Sequence, residues 1–174
     1  MMIPMSRPGW FDDLPDYLSE AEYRDLPEDI ARTIEIVHGH VIRCESPVPR
    51  HNRIARRLSF ALESARSPSG PCLTVETEID VVLWRVPHFT FRRPDVVVYE
   101  CIDDPARKPT AQETVLVVEV SSPSTAREDL LDEIREFHLD AAADAYRLHA
   151  VHRSVLDLEQ PVRLTLPISE LVTA

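Results

Sequence analysis

Residues 93–98 read RPDVVV and residues 117–125 read VVEVSSPST, and these two stretches are the most informative part of the chain. Each places one carboxylate, Asp95 or Glu119, in a run of β-branched residues that is typical of a buried strand. An ionised carboxylate in such a run is costly unless it is paired or binds a metal. Two of them on neighbouring strands therefore predict a divalent-metal site.

The composition is that of a globular protein. The chain has 174 residues, of which 44% are hydrophobic and 28% are charged, enough to bury a real core. We expect one domain over residues 1–174, with residues 1–13 as a loosely ordered N-terminal arm. No apolar stretch approaches the roughly 20 residues that cross a bilayer, and the start of the chain lacks the features of a secretory signal. The sequence predicts a cytoplasmic protein with no membrane contact.

Charge and cysteine content narrow the possible functions. A formal net charge of −11 argues against broad non-specific binding of nucleic acid, so any such contact has to be local. Lys108 is the only lysine. Cys44, Cys72 and Cys101 are odd in number and far apart, which fits neither a disulfide framework nor a CxxC metal site. We expect three reduced, partly buried thiols.

The first half of the chain gives clear local signals. Ser19 and Glu22 form a capping box that opens a short helix, which Pro27 ends or restarts. Residues 33–44 have β-branched residues on both sides of a His-Gly pair, which predicts a hairpin. Residues 51–65 carry apolar side chains at helical spacing and predict an amphipathic helix.

The second half of the chain is predicted to consist mainly of strands, which are separated by loops. Residues 72–84 alternate as one strand, and the strands of Asp95 and Glu119 follow. A capping box of Thr125 and Glu128 predicts a helix after the second of these. Its apolar face would be formed by Leu130, Ile134, Phe137 and Ala141. Residues 146–158 and 161–166 are read as a final strand pair.

This order of motifs resembles the Uma-type restriction endonucleases of the PD-(D/E)XK nuclease superfamily. The resemblance rests on Glu35-Ile-Val-His-Gly39, the helix near His51, Pro94-Asp95 and VVEVSSPST with a helix behind it, over roughly residues 14–145. It implies an α/β (α+β) fold with a restriction-endonuclease-like mixed β-sheet flanked by helices. It also implies magnesium-dependent hydrolysis of phosphodiester bonds in DNA.

The resemblance assigns roles to particular side chains. Asp95 and Glu119 would bind Mg²⁺ or Mn²⁺, because hard oxygen ligands suit a metal that polarises phosphate and lowers the pKa of bound water. Glu35 would be an accessory carboxylate, or it faces water. Ser121 lies on the same face of its strand as Glu119 and would hydrogen-bond a metal-bound water, or only its own backbone.

Four side chains are candidates for contact with double-stranded DNA: His51, Arg53, Arg57 and Arg93. The alternative for the arginines is a solvated helix face with intrahelical ion pairs. Duplex cleavage and the resemblance together favour a homodimer.

The family pattern fails at its lysine. The superfamily position two residues after Glu119 is Ser121, and the Uma-type helix pattern D-x-x-x-K-x-x-x-Y here reads Asp129, Glu133 and Phe137. A glutamate in place of lysine adds a like charge, which costs on the order of 4 kcal/mol at ~4 Å and an effective dielectric of about 20. Glu133 then faces solvent, acts as an extra metal ligand, or marks a decayed site.

Two functions stay open on this reading. One is an active magnesium-dependent endonuclease, supported by the carboxylate pair. The other is a catalytically impaired nuclease-fold protein that acts as a binding or assembly module, supported by the missing lysine.

Overall fold

The computed structural model describes residues 14–44, 47–104, 106–121, 133–140 and 145–173. The predicted arm at residues 1–13 lies outside them. The chain divides into two compact units, one made of Met1–Ser46 and Trp84–Phe91 and the other of Pro47–Leu83 and Arg92–Ala174. Within the described ranges, no helix has the length and apolar character needed to cross a membrane.

The helices are, in chain order, α1 (Glu20–Arg24), α2 (Glu28–Ala31), α3 (Pro49–Ser64) and α4 (Ile168–Val172). The strands are β1 (Ile34–Val37), β2 (His40–Arg43), β3 (Leu73–Thr77), β4 (Val81–Trp84), β5 (Thr90–Arg92), β6 (Val96–Glu100), β7 (Thr114–Ser121), β8 (Glu133–Asp140), β9 (Ala145–His152), β10 (Val155–Leu158) and β11 (Leu164–Pro167).

The first unit is organised by the predicted hairpin and capping box. Glu22 N–H donates to the Ser19 hydroxyl at 3.3 Å and its carboxylate accepts from Ser19 N–H at 2.8 Å, which opens α1 as expected. β1 and β2 pair antiparallel through a two-residue turn. His38 and Gly39 have φ of +52° and +84°, the positive values that such turns require.

An aromatic cluster fills the core of the first unit. The rings of Tyr23 and Phe91 lie 4.5 Å apart, and those of Phe89 and Phe91 lie 5.6 Å apart. Phe91 belongs to β5, which pairs with β1 opposite Ile36. This aromatic connection was not predicted to contain a strand.

The second unit is built on a five-stranded sheet in the order β3-β6-β7-β8-β9, with neighbouring strands antiparallel. α3 packs its apolar stripe against one face of this sheet, which confirms the predicted amphipathic helix. Complete burial of each large aliphatic side chain contributes about 1.5–3 kcal/mol. The shared core includes Ile54, Leu58 and Leu62 of α3, Val96 and Val98 of β6, and Leu116, Val118 and Val120 of β7.

Two predicted elements differ from the structure. The strand expected over residues 72–84 is divided into β3 and β4, because Glu78 has a φ of +54° and interrupts the extended backbone. The helix expected after Thr125 is wrong at Ile134 and Phe137, which lie in β8; residues 122–132 and 141–144 are outside the described ranges. Pairing of β8 with both β7 and β9 overrides its local helical spacing.

The C-terminal prediction is confirmed in type. Residues 146–158, read as one strand, form β9 and β10, and β10 pairs antiparallel with β11. The short helix α4, which the sequence analysis did not identify, follows β11 and buries Ile168 and Leu171 in the core of the second unit.

The expectation of three reduced thiols is wrong for two of them. Cys72 and Cys101 form a disulfide, while Cys44 is exposed and outside it. The physical reason is the register of β3 and β6, in which Leu73 lies opposite Glu100. The next pair outward is therefore Cys72 and Cys101, and the Cys101 N–H donates to the Cys72 carbonyl at 3.0 Å.

Replacing Cys72 and Cys101 together by serine is expected to lower the free energy of unfolding by about 3–4 kcal/mol, because the crosslink closes a loop with a sequence separation of 29. Urea denaturation followed by circular dichroism, with and without dithiothreitol, measures the loss. Cys44→Ser is the matched control and should unfold like wild type. A wild-type midpoint that does not respond to reductant contradicts the crosslink.

Candidate functional site

Asp95 and Glu119, the carboxylates of the two stretches quoted first, lie at neighbouring positions of the sheet. Val96 of β6 is opposite Val118 of β7, and continuing this antiparallel register by one residue places Asp95 opposite Glu119. The Val120 N–H donates to Asp95 Oδ2 at 2.6 Å, which links the start of β6 to the end of β7. Both acidic residues are half-buried. Directly opposite residues have Cβ atoms about 4.5–5.5 Å apart.

His51 joins this group from the first turn of α3. Its Nε2 lies 2.7 Å from Asp95 Oδ1, and both side chains are only 16% exposed. The hydrogen bond to Asp95 raises the pKa of His51 above its usual value near 6.5; burial opposes this, and the charges of Asp95 and Glu78 add to it. The imidazole is therefore held as a hydrogen-bond partner of the carboxylate and retains its proton to higher pH than an exposed histidine.

Strand β8 brings charged groups to the other side of β7. Arg135 is opposite Glu119, and Glu133 is opposite Ser121. Glu133 accepts hydrogen bonds from Arg153 Nε at 2.8 Å and from Arg135 Nη2 at 3.4 Å. Chiefly through the Arg153 hydrogen bond, these contacts lower the pKa of Glu133.

The environment of Glu133 differs from the one expected from the sequence. It was expected on a helix at the position of the family lysine, whereas it lies on a strand with its charge balanced by two arginines. The cation nearest to Glu119 in the register is thus the guanidinium of Arg135.

Two candidates for nucleic-acid contact are engaged inside the second unit. Arg93 donates through Nε at 2.8 Å to Oδ1 of buried Asp80, and its Nη2 lies 2.6 Å from the same oxygen. Lys108 forms an ion pair with Oδ2 of Asp80. Arg57 donates to backbone carbonyls at the end of α4, at 3.1 Å for Glu170, which satisfies groups that a helix end leaves open. Arg53 is half-buried on α3.

Glu35 belongs to the first unit and is not exposed. It lies on β1 opposite Ile42 with an exposed fraction of 6%, so the alternative in which it faces water is wrong. The structure therefore brings Asp95, Glu119 and His51 together within the second unit, and the accessory role of Glu35 stays a prediction.

A second polar group, on β8 and β9, was not predicted from the sequence. Glu136 is buried, and its two carboxylate oxygens lie 2.5 Å from His138 Nε2 and 3.0 Å from His152 Nε2. Glu136, His138 and His149 each offer a possible metal-ligand atom, and these atoms lie within 4.8 Å of one another. The signal was present as Glu-x-His at 136–138 and His-x-x-His at 149–152, but the helical reading of residues 133–141 put the two motifs in unrelated elements.

Comparisons with known proteins agree with this fold. A family model described as "Uma2: Putative restriction endonuclease" matches residues 20–164. Among solved structures, the chain is similar to a "putative nuclease belonging to DUF820" from Anabaena variabilis ATCC 29413, with a TM-score of 0.60 and 14% identity over 89% of this chain and 97% of that one. No curated protein matches the chain. The resemblance and the α+β fold class expected from the sequence are confirmed.

Asp95→Asn is expected to move the pKa of His51 back toward 6.5, because the amide keeps the shape of the carboxylate and loses its charge. Since the folded-state pKa is raised, the contribution of His51 to stability is present at acidic pH and is lost as pH rises through that pKa. NMR titration of the histidine ring protons follows the change. Exposed His88 serves as the internal control, and an unshifted His51 would show that Asp95 does not hold its proton.

Proposed function

The chain belongs to the Uma2 family, whose model is described as "Putative restriction endonuclease", and from that premise we propose that it is a metal-dependent endonuclease that hydrolyses phosphodiester bonds in double-stranded DNA. The observation that carries the proposal is the pair of hydrogen bonds to Asp95, from His51 and from the N–H of Val120, the residue that follows Glu119 on β7.

The chemistry of the donor set fits a hard divalent cation. Asp95 and Glu119 supply carboxylate oxygens, the ligands that magnesium prefers. Each oxygen of Asp95 has one hydrogen-bond contact, to Val120 N–H or to His51, and a carboxylate oxygen has a second lone pair for a further ligand. Mg²⁺ or Mn²⁺ held by these residues would polarise the phosphate and lower the pKa of a bound water.

The other residues of the site orient the Asp95 carboxylate and the water. His51 fixes the orientation of Asp95 through Oδ1, and the Val120 N–H fixes Oδ2. Ser121, one residue beyond Val120, is proposed to hydrogen-bond a water at the site. Because Asp95 is oriented in this way, its carboxylate loses little conformational freedom on binding a metal.

Arg135 is the candidate to replace the missing lysine in stabilising negative charge on the phosphate. It lies opposite Glu119, and its side chain is 47% exposed, so it can reach a phosphate approaching β7 and β8. A planar guanidinium donates two parallel hydrogen bonds to a phosphate. It stays protonated and so cannot act as a base, which limits Arg135 to stabilising charge.

We include in this proposal the partners expected from the sequence, double-stranded DNA and a second copy of the chain. Arg53, on the helix that carries His51, is the arginine of the predicted DNA-contacting set best placed to bind phosphate, since Arg57 and Arg93 have intramolecular roles. A homodimer would supply one site for each strand. A cytoplasmic location stays a prediction, and the disulfide of Cys72 and Cys101 weighs against it because disulfides are rare in reducing compartments.

One observation favours the second candidate, a catalytically impaired nuclease-fold protein that binds DNA or assembles with other proteins. Lys108, the only lysine of the sequence, is ion-paired with buried Asp80. The only lysine that could stand in for the missing family lysine is therefore committed to a structural contact.

Asp95→Asn and Glu119→Gln are each expected to reduce nicking of supercoiled plasmid with Mg²⁺ or Mn²⁺ by at least about 100-fold, because each removes one anionic ligand while preserving shape. Gel assays of single-turnover cleavage measure the effect. Glu100→Gln is the matched control, an exposed carboxylate at the far end of β6. Variants that cut like wild type would refute the site assignment, and a wild type that binds DNA without cutting it supports the impaired candidate.

Arg135→Ala is expected to lower the rate of cleavage at saturating DNA by about 10- to 100-fold, below the full effect of a buried charge donor because the side chain is half-exposed. Arg147→Ala on neighbouring β9 is the control, since it also removes an exposed, ion-paired arginine. Glu133→Lys tests the family pattern: if wild type is inactive, a gain of cleavage in this variant supports decay of the site through loss of its lysine. Equal rates in Arg135→Ala and Arg147→Ala would exclude a specific role for Arg135.

A further inference from the structure

The buried carboxylate of Glu136 lies among histidines that the proposed nuclease site does not use. Its exposed fraction is 4%, and its oxygens contact His138 Nε2 at 2.5 Å and His152 Nε2 at 3.0 Å. A buried carboxylate is costly unless its charge is compensated. A metal cation held by this carboxylate together with imidazole nitrogens would supply that compensating charge.

The strand register explains why these side chains converge. Glu136 and His138 are two residues apart on β8 and so share one face of the sheet. His152 is opposite Ile134, which precedes Glu136 by two residues on that same face.

A bulge in β9 adds His149 to the group. Glu136 pairs with Ala150 and Phe137 pairs with Leu148, so His149 is the extra residue of the ladder. β-Bulges redirect side chains and are frequent beside functional sites. Here the bulge brings the His149 ring to 4.5 Å from the His138 ring, with an angle of 33° between their planes.

We propose that Glu136, His138 and His149 form a binding site for a transition-metal dication of the Zn²⁺ type. Two imidazole nitrogens and one carboxylate oxygen are ligands that such ions prefer, whereas Mg²⁺ favours oxygen alone. Three protein ligands leave a fourth position for water or an exogenous group.

The dimensions are compatible with this ion. The three candidate ligand atoms lie within 4.8 Å of one another, and ligands at about 2.0–2.2 Å from a tetrahedral zinc are separated by roughly 3.4 Å. Adjustments of up to roughly 1.4 Å between ligand atoms close the difference. His149 is exposed and His138 is half-exposed, so both rings have room to move, while Glu136 is held in place by burial.

His152 acts as a positioning residue for this site. Its Nε2 contacts the second oxygen of Glu136 at 3.0 Å, and its own side chain is nearly buried. Such partners orient metal ligands, and their loss lowers metal affinity by about 10- to 100-fold. The metal would replace the direct contact between Glu136 and His138 and leave that with His152 intact.

Titration calorimetry of ZnCl₂ into the chelator-treated full chain tests the site, in a Cys44→Ser background that removes the exposed thiol as a competing ligand. We expect one equivalent of Zn²⁺ per chain, with affinity lowered more than about 100-fold by His138→Ala or His149→Ala and about 10- to 100-fold by His152→Ala. Co²⁺ substitution should give visible absorption bands of a tetrahedral ion, and these should be lost in the same variants.

Matched variants separate this site from the nuclease site. His88→Ala removes an exposed histidine outside the group and should bind Zn²⁺ like wild type, as should Asp95→Asn. Folding of each variant is checked by circular dichroism, and His149→Ala keeps the test interpretable because its ring is exposed. Absence of Zn²⁺ binding in the folded wild type overturns the proposal. So does binding that survives both His138→Ala and His149→Ala, or binding that is lost in Asp95→Asn.

Discussion

The antiparallel pairing of β6 with β7 is the interaction on which the rest of the second unit depends. It fixes which residues of the two strands enter the core beneath α3, and it brings Asp95 beside the end of β7 that carries Glu119. One register sets both outcomes, with Val96 opposite Val118 in the core and Asp95 opposite Glu119 beyond it. A shift of one residue would turn the valines away from α3 and separate the carboxylates. Stability and the candidate chemistry are therefore specified by the same hydrogen bonds.

Local signals in the sequence were sufficient for several elements. The capping box at Ser19, the His38-Gly39 turn and the apolar stripe of α3 depend on neighbours within a few residues, and all three were identified. The helix expected through Ile134 failed because its spacing is compatible with a helix, while its strand identity comes from pairing with β7 and β9. The prediction of reduced thiols failed for the same kind of reason, since Cys72 and Cys101 are brought together only by the register of β3 and β6.

The candidate site was predictable in its acids and not in its cations. Asp95 and Glu119 stand out because charge in a β-branched run demands a partner, a rule that needs no tertiary structure. Arginines carry no such local signal, and only the fold shows that Arg93 and Arg57 hold the second unit together while Arg135 lies opposite Glu119. Likewise, the grouping of Glu136 with three histidines depends on an extra residue in β9. Hydrophobic periodicity does not predict this residue.

The disulfide has a consequence for the exposed margin of the sheet. In the described sheet β3 is an edge strand, and edge strands present unpaired backbone groups that invite fraying and intermolecular pairing. The disulfide ties the N-terminal end of β3 to the C-terminal end of β6. Separation of β3 from the sheet therefore has to begin at its C-terminal end, beside Glu78. Amide hydrogen exchange along β3 should consequently form a gradient, slowest beside Cys72. The redox state of the surroundings then sets how far this margin is available to other chains.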